Sequence, residues 1–122
     1  MSRDLRHRLG VRGEELAARH LERRGLRILD RNCRTRFGEL DLVAFDGRRL
    51  VFCEVKTRRA GSGRPWDALG AAKQSRVRAM ARQWLSERSD RPHAPDLRFD
   101  AIGVTIDARG RLAALEHLEG AF

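Results

Sequence analysis

The stretch GELDLVAFDGRRLVFCEVK, from Gly38 to Lys56, decides the fold of this 122-residue chain. It predicts two β-strands joined at Asp46-Gly47, because Asp-Gly between alternating apolar runs is a strong hairpin signal. One face of the hairpin is apolar along its whole length and carries Leu40, Leu42, Ala44, Val51, Cys53 and Val55. The other face is apolar only towards the turn, where it carries Val43, Phe45, Leu50 and Phe52. The sequence therefore predicts a hairpin that is buried on both faces near its turn.

Charged residues lie at the opposite end of this hairpin. A turn of two or four residues would place Asp41 opposite Phe52. Glu39 would then lie opposite Glu54, which becomes a diagonal neighbour of Asp41 about 7–8 Å away. Lys56, two residues after Glu54, points to the same face. Because unpaired buried charge is strongly unfavourable, we interpret this end of the hairpin as a site where two carboxylates converge on one ion.

The composition predicts one domain with a polyanionic partner. The formal net charge is +9, and the pI is about 11.3. Residues 1–36 and 58–91 are strongly basic, whereas residues 37–57 are slightly acidic. A field of this sign attracts nucleic acid or an anionic membrane surface. The length is sufficient for one hydrophobic core and too short for two.

The cysteines and the hydropathy predict a cytoplasmic protein. Cys33 and Cys53 have neither the spacing of metal ligands nor a disulfide framework, and free thiols suit a reducing compartment. No apolar run approaches the 18 or so residues of a membrane span, and the N-terminus has no signal-peptide pattern. We therefore expect no association with a membrane.

The N-terminal part predicts a basic arm followed by a helix. Residues 1–9 lack periodicity, so we expect a mobile arm that is either simply disordered or gains order on a phosphate backbone. The helix is predicted from Val11 to Arg24, with Gly25 ending it. Its apolar face carries Leu16, Ala17, His20 and Leu21, and its outward positions include Glu15, Ala18 and Glu22. Glu14, at the edge of the apolar face, either points at the sheet or only favours the helix dipole.

The remaining patterns predict the order α-β-β-β-α-β-β, an α/β fold in which helices flank a central mixed sheet. A first strand is predicted from Leu26 to Asn32, with a basic connection from Cys33 to Phe37. A cationic loop is expected from Thr57 to Arg64. A second helix would begin at Pro65 and bury Leu69, Lys73, Val77, Met80 and Trp84. The last two strands are predicted over Leu97–Ile106 and Leu112–Leu118.

The spacing of Asp41, twelve residues, and then Glu54-Val55-Lys56 resembles the catalytic signature of the PD-(D/E)XK nuclease superfamily, whose core is α-β-β-β-α-β. Further matches cover nearly the whole chain and are similar to the YraN-like family of small bacterial proteins. They are Gly10-x-x-Gly13-Glu14-x-x-Ala17, Gly38-Glu39-Leu40-Asp41-Leu42, the run from Val51 to Arg58, Lys73 and Arg98-Phe99-Asp100. The proline that names the superfamily motif is absent before Asp41. The resemblance implies a restriction-endonuclease-like core.

The resemblance also implies roles for the site residues. It assigns Asp41 and Glu54, together with Val55, to the metal. It assigns Lys56 to the reacting phosphate or the nucleophilic water, and Glu14 to a supporting acidic role. Lys73 joins the catalytic candidates, although a lysine at a helix edge more often only extends to solvent. Carboxylate oxygens suit Mg²⁺, with Mn²⁺ as the alternative, because Mg²⁺ keeps several waters and binds substrate phosphate at its remaining positions.

Arginine supplies the predicted nucleic-acid surface. Of the 26 basic residues, only Lys56 and Lys73 are lysine. A chain so rich in arginine would use it wherever positive charge alone suffices, so the two lysines are either functional or a chance of composition. Phosphate contacts are expected from both basic segments, through Arg12, Arg34, Arg36, Arg58, Arg59, Arg64 and Arg76.

These patterns together predict a metal-dependent endonuclease that hydrolyses DNA, with branched and single-stranded forms among the candidate substrates. The alternative is a nucleic-acid-binding module with the same fold and little or no catalysis. A third alternative is a scaffold for RNA or for a partner protein. Two Trp, five Phe and no Tyr argue against a large base-stacking platform. The sequence is compatible with a homodimer.

Overall fold

The computed structural model describes residues 2–62 and 70–122, which form two helices and a five-stranded sheet. The elements are α1 (Arg3–Arg23), β1 (Arg27–Thr35), β2 (Gly38–Phe45), β3 (Arg49–Arg59), α2 (Ala71–Glu87), β4 (Asp96–Ile106) and β5 (Leu112–Leu118). The strands lie in the order β1-β2-β3-β4-β5, and the β3–β4 pair is parallel while the other neighbouring pairs are antiparallel. The predicted order α-β-β-β-α-β-β and the mixed α/β fold are therefore confirmed.

One helix packs on each face of the sheet. The core under α1 includes Leu16, Ala17, Leu21, Leu42, Ala44, Val51, Cys53, Ile102 and Val104. The core under α2 consists of Leu40, Val43, Leu50, Phe52, Val77, Met80, Ala81 and Trp84. The hairpin is thus buried on both faces near its turn, as predicted. Neither of the described helices is both long and apolar enough to cross a bilayer.

α1 begins eight residues earlier than predicted. Ser2 caps it, because the Ser2 hydroxyl oxygen accepts the backbone N–H of Leu5 at 3.1 Å. Asp4 lies in the first turn, where an acidic side chain favours the helix dipole. The prediction that residues 1–9 form an arm outside the helix is therefore wrong for residues 3–9. The sequence did not reveal this part of the helix because residues 3–9 lack apolar periodicity. The Ser2 cap can start the helix although its first turns bury no apolar side chains.

The buried face of α1 is wider than predicted. Ala18, predicted to point outward, is fully buried together with Ala17 and Leu21. The small alanine side chains allow the helix to approach the sheet closely, so two adjacent positions lose their exposure. The helix ends as predicted at Gly25, which has a φ of 89° and precedes a bond from the Leu26 N–H to the Leu21 carbonyl.

The β2–β3 hairpin has a different register from the prediction. Its pairs are Leu42–Cys53, Val43–Phe52, Ala44–Val51 and Phe45–Leu50. The expected pairs of Asp41 with Phe52 and of Glu39 with Glu54 are therefore wrong. The reason lies in the turn, where the Asp46 carboxylate accepts the N–H groups of Arg48 and Arg49 at 2.9 and 2.6 Å. With these bonds the turn is centred between Gly47 and Arg48, one residue later than the predicted centre between Asp46 and Gly47.

The regular alternation of side chains between the two faces of β2 breaks near Asp41. Leu42 belongs to the core under α1, whereas Leu40 belongs to the core under α2. Alternate residues of a regular strand share a face, so the alternation is interrupted between these two leucines. The prediction that Leu40 and Leu42 share one face is wrong, and the residue at the interruption is Asp41.

β1 and β3 are longer than predicted. β1 continues to Thr35, because residues expected to form a connection pair with β2, with Cys33 opposite Leu40. β3 continues to Arg59, because its last residues pair with β4. α2 begins at Ala71, with Gly70 in an extended conformation as its N-cap, so the predicted start of this helix at Pro65 is wrong. The expected burial of Leu69 lies outside the described residues. Val77, Met80 and Trp84 on α2 are buried as predicted.

Candidate functional site

Asp41 lies where the β2–β3 ladder ends. The last backbone pair of the two strands is Leu42–Cys53. Beyond it, Oδ2 of Asp41 accepts the backbone N–H of Val55 at 2.8 Å. A side chain thus takes the place of a backbone acceptor, and the Asp41 carboxylate is held against the strand that carries Glu54.

Gly13 brings the neighbouring Glu14 to the sheet. A Cβ atom at position 13 would overlap the side chain of Thr57 on β3. Only glycine therefore lets α1 approach this strand so closely. Of the two interpretations of Glu14, orientation towards the sheet holds, because one of its oxygens lies with oxygens of Asp41 and Glu39. Glu15 is exposed.

Three carboxylates form an acidic cluster, which we define as Glu14, Glu39 and Asp41. One oxygen from each lies within 4.8 Å of the others. The cluster adjoins a cavity of about 510 Å³, whose lining includes Glu14, Glu39, Asn32, Arg6, His7 and Gly10. Because Glu39 is exposed and Asp41 is half-buried, the cluster extends from solvent into the protein.

Glu54 is paired with Lys73. Oε1 of Glu54 lies 2.7 Å from Nζ of Lys73, and the two side chains are 11% and 29% exposed. The expectation that such a lysine more often extends to solvent does not hold here. Lys73 lies in the first turn of α2, which begins above β3, so its ammonium group meets the carboxylate of the sheet.

Burial and like charges make this site unfavourable for ionised acids. Burial, followed by the charge of Glu54, raises the pKa of Asp41 to about 8, although the Val55 N–H and Lys73 oppose the shift. The pKa of Glu14 is also raised, first by burial and then by the charge of Glu39, while a hydrogen bond with Asn32 opposes this. A bound cation would offset this repulsion.

The donor atoms of the site suit a hard divalent cation. The acidic cluster and Glu54 offer carboxylate oxygens, which Mg²⁺ and Mn²⁺ prefer, rather than the nitrogen and sulfur ligands of a zinc centre. Val55 can offer only its backbone carbonyl, because its N–H is bonded to Asp41 and its side chain is apolar. The residues present therefore fit the metal that the resemblance implies.

Lys56 lies on β3, and its ammonium group has no counter-ion among the described residues. Within residues 2–62 and 70–122 its side chain forms no ion pair or hydrogen bond. It lines a cavity of about 390 Å³ together with Arg6, Arg58 and Arg59. This cavity and the acid-lined cavity share Arg6 and Gly10, so the two cavities adjoin.

The predicted phosphate-binding arginines fall into two groups. Arg58 and Arg59 line the cavity of Lys56, and Arg12 lines a neighbouring cavity that also contains Arg59. The second group lies near the β1–β2 turn and consists of Arg34, Arg36 and Arg76. Arg64 lies outside the described residues. Arg6 was not predicted, although its position four residues before Gly10 and eight before Glu14 places it on their side of α1.

Comparison with known sequences supplies the family. Residues 13–104 match a family model described as uncharacterised protein family UPF0102. This range contains Glu14, Asp41, Glu54 and both lysines. The chain belongs to this family.

Relatives described as UPF0102 proteins match over nearly their full length. The protein of Rhodococcus opacus is 47% identical over 115 residues, which cover 93% of this chain and 95% of the relative. The protein of Frankia alni is 51% identical over 118 residues, or 93% of each chain. The protein of Pelotomaculum thermopropionicum is 47% identical over 120 residues, or 98% of each chain. The YraN-like resemblance is thus confirmed as a family, and these names state no activity.

In this UPF0102 chain the motif at residues 98–100 is structural. Asp100 is fully buried, and its carboxylate accepts two bonds from Arg98 at 2.8 Å each and one from the Gly120 N–H at 3.0 Å. It also lies 2.8 Å from Nε2 of His117, whose Nδ1 is 3.0 Å from Nε2 of His20 on α1. Burial alone would raise the pKa of Asp100, but these hydrogen bonds lower it. The network joins α1, β4 and β5. The contact between His20 and His117 was not predicted, because the two residues are 97 positions apart in the sequence.

Proposed function

We propose that this chain is a metal-dependent nuclease that hydrolyses phosphodiester bonds in DNA. The observation that carries the proposal is the carboxylate of Asp41, which is held against β3 and has a pKa raised to about 8 by burial and by Glu54. Converging buried acids destabilise a fold unless a cation offsets them. A cluster that is costly for stability is typical of a site with a chemical role.

Asp41 and Glu54 would hold the cation, and the backbone carbonyl of Val55 would complete the ligands from the protein. When bound, the cation would lower the pKa of a coordinated water and offset charge on the reacting phosphate. Glu14 and Glu39 lie close enough to Asp41 to accept hydrogen bonds from water in the site. They would orient that water without touching the substrate.

Lys56 would contact the reacting phosphate. Its ammonium group has no counter-ion in the described part of the chain, and its cavity adjoins the acidic cluster. An ammonium group is a compact point charge that can donate to a non-bridging phosphate oxygen or to the attacking water. Lys73 would neutralise Glu54 until the cation binds there.

The charge near the site supports nucleic acid as the substrate. The chain carries a net charge of +9, and Arg6, Arg58 and Arg59 line the cavity of Lys56. Contacts between guanidinium groups and phosphate give binding that is sensitive to salt and depends little on sequence. We propose DNA, with branched or single-stranded forms as the substrates.

A nucleic-acid-binding module without catalysis is the second candidate. The ion pair of Glu54 with Lys73 at 2.7 Å favours it, since a carboxylate that already binds an ammonium group is a weaker metal ligand. In this case Lys73 would be a permanent counter-ion, and the basic surface would bind DNA without cleaving it.

Incubation with labelled DNA tests the two candidates. Duplex, single-stranded, flapped and four-way-junction DNA would be compared in Mg²⁺, Mn²⁺ and EDTA. We expect cleavage that requires the divalent cation and is lost in Asp41→Asn and Glu54→Gln. The control is Glu15→Gln, which removes an exposed acid next to Glu14 and should leave cleavage unchanged. Binding without cleavage in every metal would establish the binding module, and neither binding nor cleavage would contradict both candidates.

A further inference from the structure

The β1–β2 turn presents an aromatic ring to solvent from a fixed backbone. Phe37 is 45% exposed, and it is the aromatic member among the large apolar side chains exposed in the described residues. The Thr35 hydroxyl donates to the Gly38 carbonyl at 2.7 Å and accepts the Phe37 N–H at 3.1 Å. The Arg36 N–H donates to Oε1 of Gln83 on α2 at 3.0 Å. The turn is therefore tied both to the sheet and to α2, although the ring itself remains open.

A cavity of about 390 Å³ lies beside this ring, between the turn and α2. We call it the Phe37 pocket, and its lining includes Arg36, Phe37, Arg82, Gln83, Ser86 and Glu87. Glu87 is its acidic residue, and its Oε1 accepts a bond from Nε2 of Gln83 at 3.0 Å. Two guanidinium groups against one carboxylate leave the pocket positively charged. The pocket thus combines an aromatic face with cations and with hydrogen-bonding groups.

The Phe37 pocket lies within reach of the acidic cluster. Phe37 lies four positions before Asp41 in the sequence, and four steps of extended chain span at most about 13 Å. α2 connects the same two places, because Lys73 near its start contacts Glu54 and Gln83 near its end contacts the turn. Arg76 lies between them on α2. A strand of nucleic acid that extends from the cluster to the pocket would pass this guanidinium group.

We propose that the Phe37 pocket binds one unpaired nucleotide of a DNA strand that extends from the acidic cluster. The base stacks on the ring of Phe37, since every base offers a face for such stacking. The phosphate pairs with the guanidinium groups of Arg36 and Arg82. A base that is paired within a duplex cannot stack on a side chain outside it. The inference rests on the proposed function, and it defines the substrate as DNA with an unpaired strand.

Binding measurements in EDTA test this pocket separately from cleavage. A flapped duplex with 2-aminopurine in the flap and a blunt duplex of the same sequence would be titrated with wild-type protein and with Phe37→Ala. We expect Phe37→Ala to weaken binding of the flapped DNA about 5- to 100-fold and to leave binding of the blunt duplex unchanged. Phe37→Trp, which keeps an aromatic face, should retain the affinity and the quenching of 2-aminopurine. Arg82→Gln should weaken binding of the flapped DNA and reduce its dependence on salt.

The matched control is Leu97→Ala, which truncates another side chain that is 45% exposed, at the start of β4. This variant should bind the flapped DNA and the blunt duplex with the same affinities as wild type. An equal loss on both DNAs in Phe37→Ala, or no loss on the flapped DNA, would overturn the pocket. Since these titrations contain no divalent cation, binding that depends on Phe37 supports the pocket even if no DNA is ever cleaved. Cleavage that depends on Asp41 but not on Phe37 would support the nuclease and reject the pocket.

Discussion

Asp41 accepts the backbone N–H of Val55 at 2.8 Å, just beyond the last backbone pair of β2 and β3. The carboxylate at the centre of the candidate site therefore also satisfies a backbone donor of the sheet. A substitution at this position must keep an acceptor if its effect on chemistry is to be separated from its effect on the fold. Asparagine keeps the acceptor and removes the charge, whereas alanine would leave the Val55 N–H unbonded.

Asp41→Asn should raise the melting temperature at pH 8. The pKa of Asp41 is about 8 in the folded protein against an ordinary 3.8, so the folded chain binds this proton more tightly than the unfolded chain. Wild-type stability therefore falls as the pH rises from about 4 to about 8, and the uncharged amide avoids that loss. Calorimetry in EDTA should show a gain at pH 8 that vanishes near pH 4. A variant less stable than wild type at pH 8 would contradict the raised pKa.

Lys73→Met should lower stability in chelator and increase the stabilisation that Mg²⁺ provides. It leaves the nearly buried Glu54 without its partner, at a cost of about 2 kcal/mol. The site then has more uncompensated negative charge, so Mg²⁺ should bind more tightly and raise the melting temperature further than in wild type. In the control, Glu54→Gln combined with Lys73→Met should recover stability in chelator. If Mg²⁺ raised the melting temperature of Lys73→Met and of wild type equally, this ion pair would not influence the metal site.

Lys56→Arg should lower turnover at least about tenfold with nearly unchanged affinity for DNA. A guanidinium group preserves the charge, but its larger planar fork misplaces the donors, and a displacement of about 1 Å can cost on the order of a hundredfold in rate. Single-turnover cleavage on the best DNA substrate gives the measurement. Arg19→Lys, the reverse exchange at an exposed position of α1, is the control and should have little effect. Wild-type turnover in Lys56→Arg would mean that only the charge of Lys56 matters.

Gly13→Ala should destabilise the protein by about 1–3 kcal/mol, although alanine is the better helix former. The added Cβ overlaps the side chain of Thr57, so α1 must move away from β3 and carry Glu14 with it. Gly10→Ala is the control on the same helix. It has no atom within 4 Å of the new Cβ, and it should stabilise by about 0.5–1 kcal/mol. Urea titrations would measure both, and shifts in the same direction would argue against a close approach at Gly13.

Asp100→Asn should destabilise the protein at pH 7 by about 3 kcal/mol, because it breaks a buried charge pair with Arg98. The pKa of Asp100 is lowered in the folded state, so its contribution is present above the ordinary carboxyl pKa and is lost as the pH falls through the folded value. The difference from wild type should therefore shrink below about pH 4. Thermal melts across this range provide the measurement. A difference that is constant with pH would mean that the Asp100 carboxylate is not ionised.

Local patterns were enough to predict the elements and their order. Alternation of apolar residues predicted the central hairpin, and Gly25 predicted the end of α1. These signals act between residues a few positions apart, where backbone geometry decides the structure. The helical period also placed Glu14 towards the sheet. It did not reveal the start of α1, because the Ser2 cap requires no apolar stripe.

Only the tertiary structure decided how the site is assembled. The strand alternation is interrupted at Asp41, and the Asp41 carboxylate accepts the backbone N–H of Val55 on the neighbouring strand. The pairing of Glu54 with Lys73 depends on where α2 begins above the sheet. These relationships join residues distant in sequence through hydrogen bonds and packing. They therefore follow from which side chains meet across the sheet, and no local pattern of residue types encodes them.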